Sequence, residues 1–452
     1  MSSLRQTNSI LFGLTLVLIM LMTNGINAGF AQSSALDNPL VGVAMKGMYV
    51  DQKQNRNDTA LPPATYFDES FKLIKDAGLN HARFLFYWEA YEKNPQAFMD
   101  ELEQVANAAD KNGIKVIYDN HQWHTSSWLE DRGTGFPSAL FNNNSQLYPM
   151  NSGGKEGEPV AKLWWTNFWD GTIKDGQGND AWTLLADFYK KVVTAVDGHA
   201  STLGYEILSE PHVESSDQWE KIGSFNSFMS DELRSVTDKT IVYSMNVPVD
   251  LDGPIQLTPE NLAEMAPANK ENVMFKISVY GIPDRDQYQK ERFDLFLQTR
   301  ELTGIPLYIG EWNNVVRTQV NGVFQLDPQQ SGLDQETTDA MLQAFENENI
   351  TASAFWKWDY QDADTASFNL ILNQNGTITP TEYYTFLKNS VANVYGDSIS
   401  ASTSNDTSAS ASTSNDTSAS ASASNDTSAS ASASASASND TSASDSDSTD
   451  EN

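Results

Sequence analysis

Eight short apolar runs punctuate this chain and alternate with stretches of helical periodicity along most of its length. They are Leu40 to Met48, His81 to Phe86, Lys115 to Asp119, Leu203 to Leu208, Thr240 to Ser244, Val273 to Val279, Pro306 to Gly310 and Ala352 to Trp358. Between them lie segments such as Met99 to Asn112, where Leu102, Val105, Ala106 and Ala109 fall on one face and Gly113 stands where a left-handed cap belongs. Strand and helix in alternation imply a parallel sheet. An open, doubly wound sheet is the other architecture of that kind, but no Gly-rich phosphate loop follows any of these runs, and eight repeats close more naturally than they stay open. The chain therefore reads as α/β, a single (β/α)8 TIM barrel.

The flanks are of different composition. Residues 1–31 carry one early cation, Arg5, then an uncharged apolar run from Ile10 to Met22, then small residues ending in Gly29-Phe30-Ala31. That run is short of the roughly 20 residues a spanning helix needs, so the pattern reads as a secretory signal peptide cleaved after Ala31, with a retained membrane anchor as the alternative. From Asp397 to Asn452 the chain has no aromatic residue and repeats an Asn-Asp-Thr-Ser unit, with Asn405, Asn415 and Asn425 spaced by ten. Nothing there can bury a core, so 397–452 is expected to be a disordered Ser/Ala/Asn/Asp/Thr-rich tail. The barrel domain is then 32–396, and the protein is expected outside the cytosol, secreted or at the cell surface, as a monomer without membrane insertion once the signal is removed.

Composition narrows the chemistry. The chain has no cysteine, so disulfides and thiolate metal sites are excluded and the fold must rest on its own core. Sixty acidic residues against 28 Lys and Arg give a net charge of −32, a surface that disfavours nucleic acid and anionic lipid. The longest interruption, Asn120 to Asp180, follows the third strand and holds Trp123, Trp128, Phe136, Trp164, Trp165 and Trp169. Loops this long are usually functional or disordered, and the aromatics argue against disorder. Most of them are expected to form the loop's own small core, with one or two of the five tryptophans touching substrate.

Two strands deliver carboxylates. Gly204 to His212, GYEILSEPH, presents Glu210 before a proline that stops the strand, and Pro306 to Trp312, PLYIGEW, presents Glu311. In a parallel barrel the carboxyl ends converge on one mouth, so two such glutamates can flank one scissile bond. Glycoside hydrolysis needs such a pair, one carboxyl to protonate the leaving oxygen and one to attack or stabilise the sugar cation. The other strand ends carry Arg83, His121, Ser209, Tyr280 and Trp356. His124 lies three residues beyond His121, but no second ligand cluster appears, so neither a metal nor a cofactor is expected. His81 reads as a packed or surface residue, His199 as a turn residue, and His212 as edging the cleft or structural.

With these segments in order, FDESFKLIKDAGLNHARF, GIKVIYDNHQWH, GYEILSEP, PLYIGEW and FWKW, the chain resembles glycoside hydrolase family 5 from Leu40 to about Val394. The resemblance implies a β-glycosidase of the cellulase type, with Glu210 as general acid/base, Glu311 as nucleophile and Arg83 beside the nucleophile. It also implies Tyr280 as the tyrosine bonded to that nucleophile, His121 as the histidine after strand three, and Trp356 as the floor of the sugar site; Trp358, two residues on, would face the same side by strand alternation and competes for that place. Two positions depart from the pattern, Ser209 where the family usually has Asn and Ser278 where it usually has His. The expected activity is hydrolysis, with retention, of a β-linked glucan, mannan or related polysaccharide. A glycolipid-directed endoglycosidase of the same family is one alternative, since HQ after strand three and the aromatic loop are similar to the endoglycoceramidase branch; a non-catalytic carbohydrate-binding surface protein is the other.

Overall fold

A computed structural model of the chain describes residues 39–48, 61–245, 257–320, 323–327, 329–359 and 368–405. Within them stand eight parallel strands: β1 (Leu40–Lys46), β2 (His81–Phe86), β3 (Lys115–Asn120), β4 (Thr202–Glu206), β5 (Thr240–Ser244), β6 (Val273–Tyr280), β7 (Leu307–Asn313) and β8 (Ala352–Phe355). Each pairs with the next, and β8 returns to β1 at Leu40↔Ala352 to close the barrel. Helices fill the connections, so the expected (β/α)8 architecture is the observed one. Strand limits agree with the apolar runs to within three residues at every end, β1, β4 and β8 stopping short of their runs and β7 continuing past its own. The signal segment and the tail beyond Asn405 lie outside the described residues; the last helix, Glu382–Asn405, carries the chain past Asp397, where the composition changes. Among the described residues no helix is long and apolar enough to cross a membrane.

The helix Pro95–Asn112 shows how the sequence sets its own limits. Asn94 accepts a hydrogen bond from the Ala97 amide (3.2 Å), Pro95 occupies the first turn where its missing N–H costs nothing, and Gly113 closes the helix at φ 70°. Phe98, Leu102, Val105, Ala106 and Ala109 point inward against the barrel.

The barrel interior is layered. Leu40, Ile117, Val242, Met274, Tyr308 and Ala352 fill its lower part as one apolar cluster. The next inward residues, two positions further along β3 and β6, are Asp119 and Lys276, and both are fully buried. Because strand side chains alternate, this charged layer follows directly from the period-2 pattern above the apolar plug.

The long segment after β3 is anchored from below by Glu89, whose carboxylate accepts from Ser126 Oγ (3.0 Å), the Ser127 amide (2.8 Å) and Ser127 Oγ (2.5 Å). Its helix Pro159–Trp169 buries Trp164, Trp165 and Trp169 against Phe136, Phe141, Phe168 and Phe225. Each such ring removes roughly 200 Å² from water, about 5 kcal/mol apiece before the entropy of ordering the loop. Most of the loop's tryptophans therefore form its own core; Trp123, 46% exposed, does not.

Candidate active site

The site grows upward from Arg83 on β2. Its guanidinium is fully buried and spends its fork on three carboxylates. Nε donates to Glu206 Oε2 (2.7 Å) and Nη2 to Glu206 Oε1 (2.9 Å); Nη1 donates to Glu311 Oε1 (2.9 Å); Nη2 also lies 2.9 Å from Asp119 Oδ2 and donates to Ser209 Oγ (3.0 Å). A planar, always-charged fork is the side chain suited to holding several oxygens in fixed directions.

Glu311 reaches the interior by a bulge. Tyr308 belongs to the apolar plug inside the barrel, so strict alternation from it would turn residue 311 outward. The register breaks instead: Ile277 pairs with Ile309 but Ser278 pairs with Glu311, leaving Gly310 as the extra residue. A bulge of this kind re-aims the following side chain, and here it brings Glu311 into the lumen. Gly310 is required there, because a Cβ would stand 2.7 Å from the Lys276 stem and 3.2 Å from Arg83 Nε.

Glu210 arrives differently. β4 ends at Glu206, four residues short of it, and Glu210 sits in the turn before Pro211 at φ 43°. A non-glycine residue in the left-handed region costs about 1 kcal/mol, and such positions persist where function requires a side chain in one place. The Glu210 amide is held by Ser244 Oγ (3.1 Å) from β5. Gln122 Nε2 donates to the Glu210 carbonyl (2.8 Å), tying the turn to the loop after β3.

Between the two glutamates stands Lys276, fully buried on β6. Its ammonium is 3.4 Å from Glu210 Oε1, 3.3 Å from Glu311 Oε1 and 3.0 Å from Ser278 Oγ. The first two distances bound the separation of those carboxylate oxygens at 6.7 Å. Ser278 accepts from the lysine and donates to Glu210 Oε1 (2.5 Å), and Tyr280 donates to Glu311 Oε2 (2.7 Å). Met274, Lys276, Ser278 and Tyr280 thus climb one face of β6.

The electrostatics follow from two cations facing four carboxylates. Burial by itself would raise Glu311, but Lys276, then Arg83, overcome it and hold the carboxyl at about 2, ionised at any working pH. Asp119 is pushed by burial up to about 7 against the pull of Arg83, and burial raises Glu206 likewise. Lys276 is raised despite burial, because Glu311 and Glu210 favour its charged form. Burial and Arg83 depress His121 to about 3, leaving a neutral imidazole. Since Asp119 Oδ2 already faces Arg83, the His121 Nδ1 2.8 Å away carries the proton and donates to it.

Of the residues singled out in the sequence, Arg83, His121, Ser209, Glu210, Tyr280, Glu311 and Trp356 gather at this mouth. Trp356 is half-buried, stacks on His121 at 5.8 Å and 23°, and has its amide held by the Trp312 carbonyl (2.9 Å). Trp358 does not join them. β8 ends at Phe355, so alternation does not extend to residue 358, and that indole is fully buried with Nε1 donating to Ser70 Oγ (3.1 Å) on the outer helix Pro63–Asp76. Ser209 spends its hydroxyl on Arg83. His212 packs on Trp165, its carbonyl accepting from Trp169 Nε1 (2.9 Å), and His81 is fully buried inside the barrel. Among the described residues no group of His, Asp or Glu is arranged to hold a metal ion.

Sequence reasoning missed Asp119, Glu206 and Lys276. The signal was present: Asp119 lies two residues before His121, and Lys276 two before Ser278, so each shares the inward face of a residue already identified.

Comparison with known proteins places this geometry. The chain matches the family model described as Cellulase (glycosyl hydrolase family 5) over residues 61–362. It is 28% identical over 178 residues to an endoglycoceramidase of Cyanea nozakii, a match spanning 32% of this chain and 33% of that relative. Among solved structures it resembles an endogalactoceramidase (TM-score 0.59, 16% identity, 78% of this chain and 81% of that one). It also resembles endo-glycoceramidase II from Rhodococcus sp. as its lactosyl-enzyme intermediate (TM-score 0.54, 16% identity, 78% of each chain). An endo-beta-1,4-glucanase from Xanthomonas axonopodis pv. citri is similar at TM-score 0.51 and 13% identity, over 78% of this chain and 99% of that one.

Proposed function

The chain belongs to glycosyl hydrolase family 5, and we propose that it is a secreted, retaining β-glycoside hydrolase with Glu311 as nucleophile and Glu210 as acid/base. The observation that carries this reading is the pair of glutamates at one mouth, bridged by the ammonium of Lys276, with Glu311 held ionised as a nucleophile must be. Direct attack by a carboxylate goes with carboxyls about 5–5.5 Å apart and inversion with roughly 6.5–9.5 Å; the 6.7 Å upper bound between the two Oε1 atoms admits both, so the anomer formed first decides between them.

The hydrogen bonds support one choice of reacting oxygens. Glu311 Oε1 accepts from both Arg83 and Lys276, while Oε2 accepts only from Tyr280 among the contacts above and keeps a lone pair for the anomeric carbon. Glu210 Oε1 accepts from Ser278 and Lys276, so the acid proton belongs on Oε2. In the first step the bond from C1 to the leaving oxygen breaks, that oxygen takes the Glu210 proton, and C1 bonds to Glu311. In the second, Glu210 takes a proton from water, the hydroxyl replaces Glu311 at C1, and both carboxyls return to their starting forms with net retention.

The substrate is a β-linked glucan, mannan or related chain, or a glycolipid headgroup. The second is favoured by the shared segment with an endoglycoceramidase, and the Rhodococcus relative known as a lactosyl-enzyme intermediate is consistent with the covalent step. The deciding experiment offers aryl β-glycosides, β-glucan, mannan and glycosphingolipid to the protein, follows the first-formed anomer by NMR, and maps a 2-deoxy-2-fluoro glycoside label by mass spectrometry. A β-anomer and a label on Glu311 are expected, and Glu311→Gln should lose nearly all turnover while still binding sugar. A first-formed α-anomer, or a label on any other residue, would replace this mechanism.

A further inference from the structure

We propose that Lys276 is a positioning residue that acts as the common counter-ion of Glu210 and Glu311, matching a single negative charge as it passes from one carboxylate to the other during turnover. This rests on the reading of those two glutamates as the catalytic pair. Before attack the charge is on Glu311 and the proton on Glu210. After the glycosyl ester forms, Glu311 is neutral and Glu210 carries the charge. An ammonium 3.3 Å from one oxygen and 3.4 Å from the other sees the two states almost alike, because Coulomb attraction scales inversely with distance and differs by roughly 3% between them.

The geometry fits lysine specifically. An ammonium has three donors and no acceptor, and the three nearby oxygens, Ser278 Oγ, Glu210 Oε1 and Glu311 Oε1, account for all three. Its position is fixed from behind by the Gly310 slot, where any side chain would collide with the lysine stem. Arg83 cannot take this part: it bonds Glu311 but is committed on its other side to Glu206, Asp119 and Ser209. The ionisable groups around Glu311 are Arg83 from β2, Asp119 from β3 and His121 just after it, Glu210 beyond β4, and Lys276 and Tyr280 from β6, with Glu206 of β4 held on the other side of Arg83. Of these only Lys276 touches both glutamates.

The test compares the full chain with its Lys276→Met variant on two β-glycosides, one with an alkoxide leaving group and one with 2,4-dinitrophenolate, which leaves without a proton. Removing the counter-ion should lower kcat on both by on the order of 10²-fold or more. It should also raise Glu311, which Lys276 and Arg83 hold at about 2, by at least about one unit, so that the acidic limb of the pH–rate profile of Lys276→Met begins to fall at a higher pH than that of the wild type, a change that loss of packing alone would not give. The chain has no cysteine, so Lys276→Cys can be alkylated in the unfolded state with bromoethylamine, and refolding should recover most of the rate and the original limb. An unshifted limb in Lys276→Met, or an aminoethylated protein no better than the Met variant, overturns the proposal. A second measurement does not depend on turnover. In a stability cycle, Lys276→Met should lower the urea midpoint of the wild-type chain much more than that of Glu311→Gln, where cation and anion are removed together. Equal shifts in the two backgrounds overturn the counter-ion role. A wild-type chain that cleaves no glycoside overturns the function proposed above, and the cycle still decides the role of Lys276.

Discussion

Replacing Gly310 by alanine probes how tightly the catalytic layer is held. The φ of Gly310 lies outside the left-handed region, so alanine is allowed by the backbone and the perturbation is steric. The new methyl would start 2.7 Å from Lys276 Cγ and Cε and 3.2 Å from Arg83 Nε. Carbon atoms pack best near 3.5–4.0 Å, so the lysine stem must retreat by roughly 1 Å and the guanidinium by a few tenths. Overpacking of this size costs about 1–3 kcal/mol of stability. The larger effect is on the site, because the lysine cannot retreat and keep its ammonium within reach of both glutamates. A misplacement of about 1 Å in a preorganised site costs on the order of 10² in rate. The assay is kcat and KM on one aryl β-glycoside, with a urea unfolding curve on the same preparation. A fall in kcat near a hundredfold, with a cooperative transition retained, is the expected result. Gly310→Ala with kcat within twofold of wild type would show that the two cations slide without consequence and that the bulge does not require glycine.

Two further perturbations follow from the buried charges. Glu206→Gln keeps one acceptor for Arg83 but turns an amide donor toward a guanidinium N–H and removes a charge, so unfolding free energy should drop by about 3–5 kcal/mol; a loss under about 1 kcal/mol would mean that Asp119 and Glu311 alone hold the arginine. His81 is fully buried, faces the Lys115 carbonyl (3.3 Å) with Nδ1 and the Tyr308 hydroxyl (2.8 Å) with Nε2, and is depressed by burial from 6.5 to about 3. Its folded pKa lies below its unfolded one, so wild type loses stability as pH falls from about 6.5 toward 3, by about 1.4 kcal/mol per unit. His81→Gln lacks that proton site, and the stability gap between the two proteins should narrow by about 2 kcal/mol between pH 7.5 and pH 5, where parallel curves would show that the imidazole is charged in the fold.

The fold was legible because eight buried strands leave eight apolar runs, and no local choice in the chain contradicts a closed parallel barrel. The site was legible only in part, for reasons specific to its residues. Glu311 was placed at the mouth because it follows an apolar run, yet it points inward through a bulge at Gly310, and a one-residue phase change leaves no mark in an alternation pattern. Glu210 was read as ending a strand, whereas β4 stops at Glu206 and the turn that delivers Glu210 depends on an unfavourable φ that composition does not announce. Lys276 escaped notice because a lysine in a strand is ordinarily expected at an edge or in solvent, and what lets it be buried is a set of carboxylates from β4 and β7 that are remote in sequence. Trp358 was misplaced by extending the period-2 rule past the end of β8.

The seam between β1 and β8 bears on how the protein comes to exist at all. Leu40 donates to the Thr351 carbonyl (3.0 Å), and the register continues to Val43↔Phe355, so the ring is joined by its first and last strands. A chain growing from its amino end has β1 to β7 in hand well before residues 352–355, and until those arrive it has an open sheet with two bare edges. The entropy of closing the whole ring falls on that final pairing, which places assembly of the charged layer among the late, non-local events of folding. A chain that stops short of Phe355 would then be an adhesive intermediate rather than a feeble hydrolase, and the cell making this protein has to protect it for the time that the last strand of its barrel takes to appear.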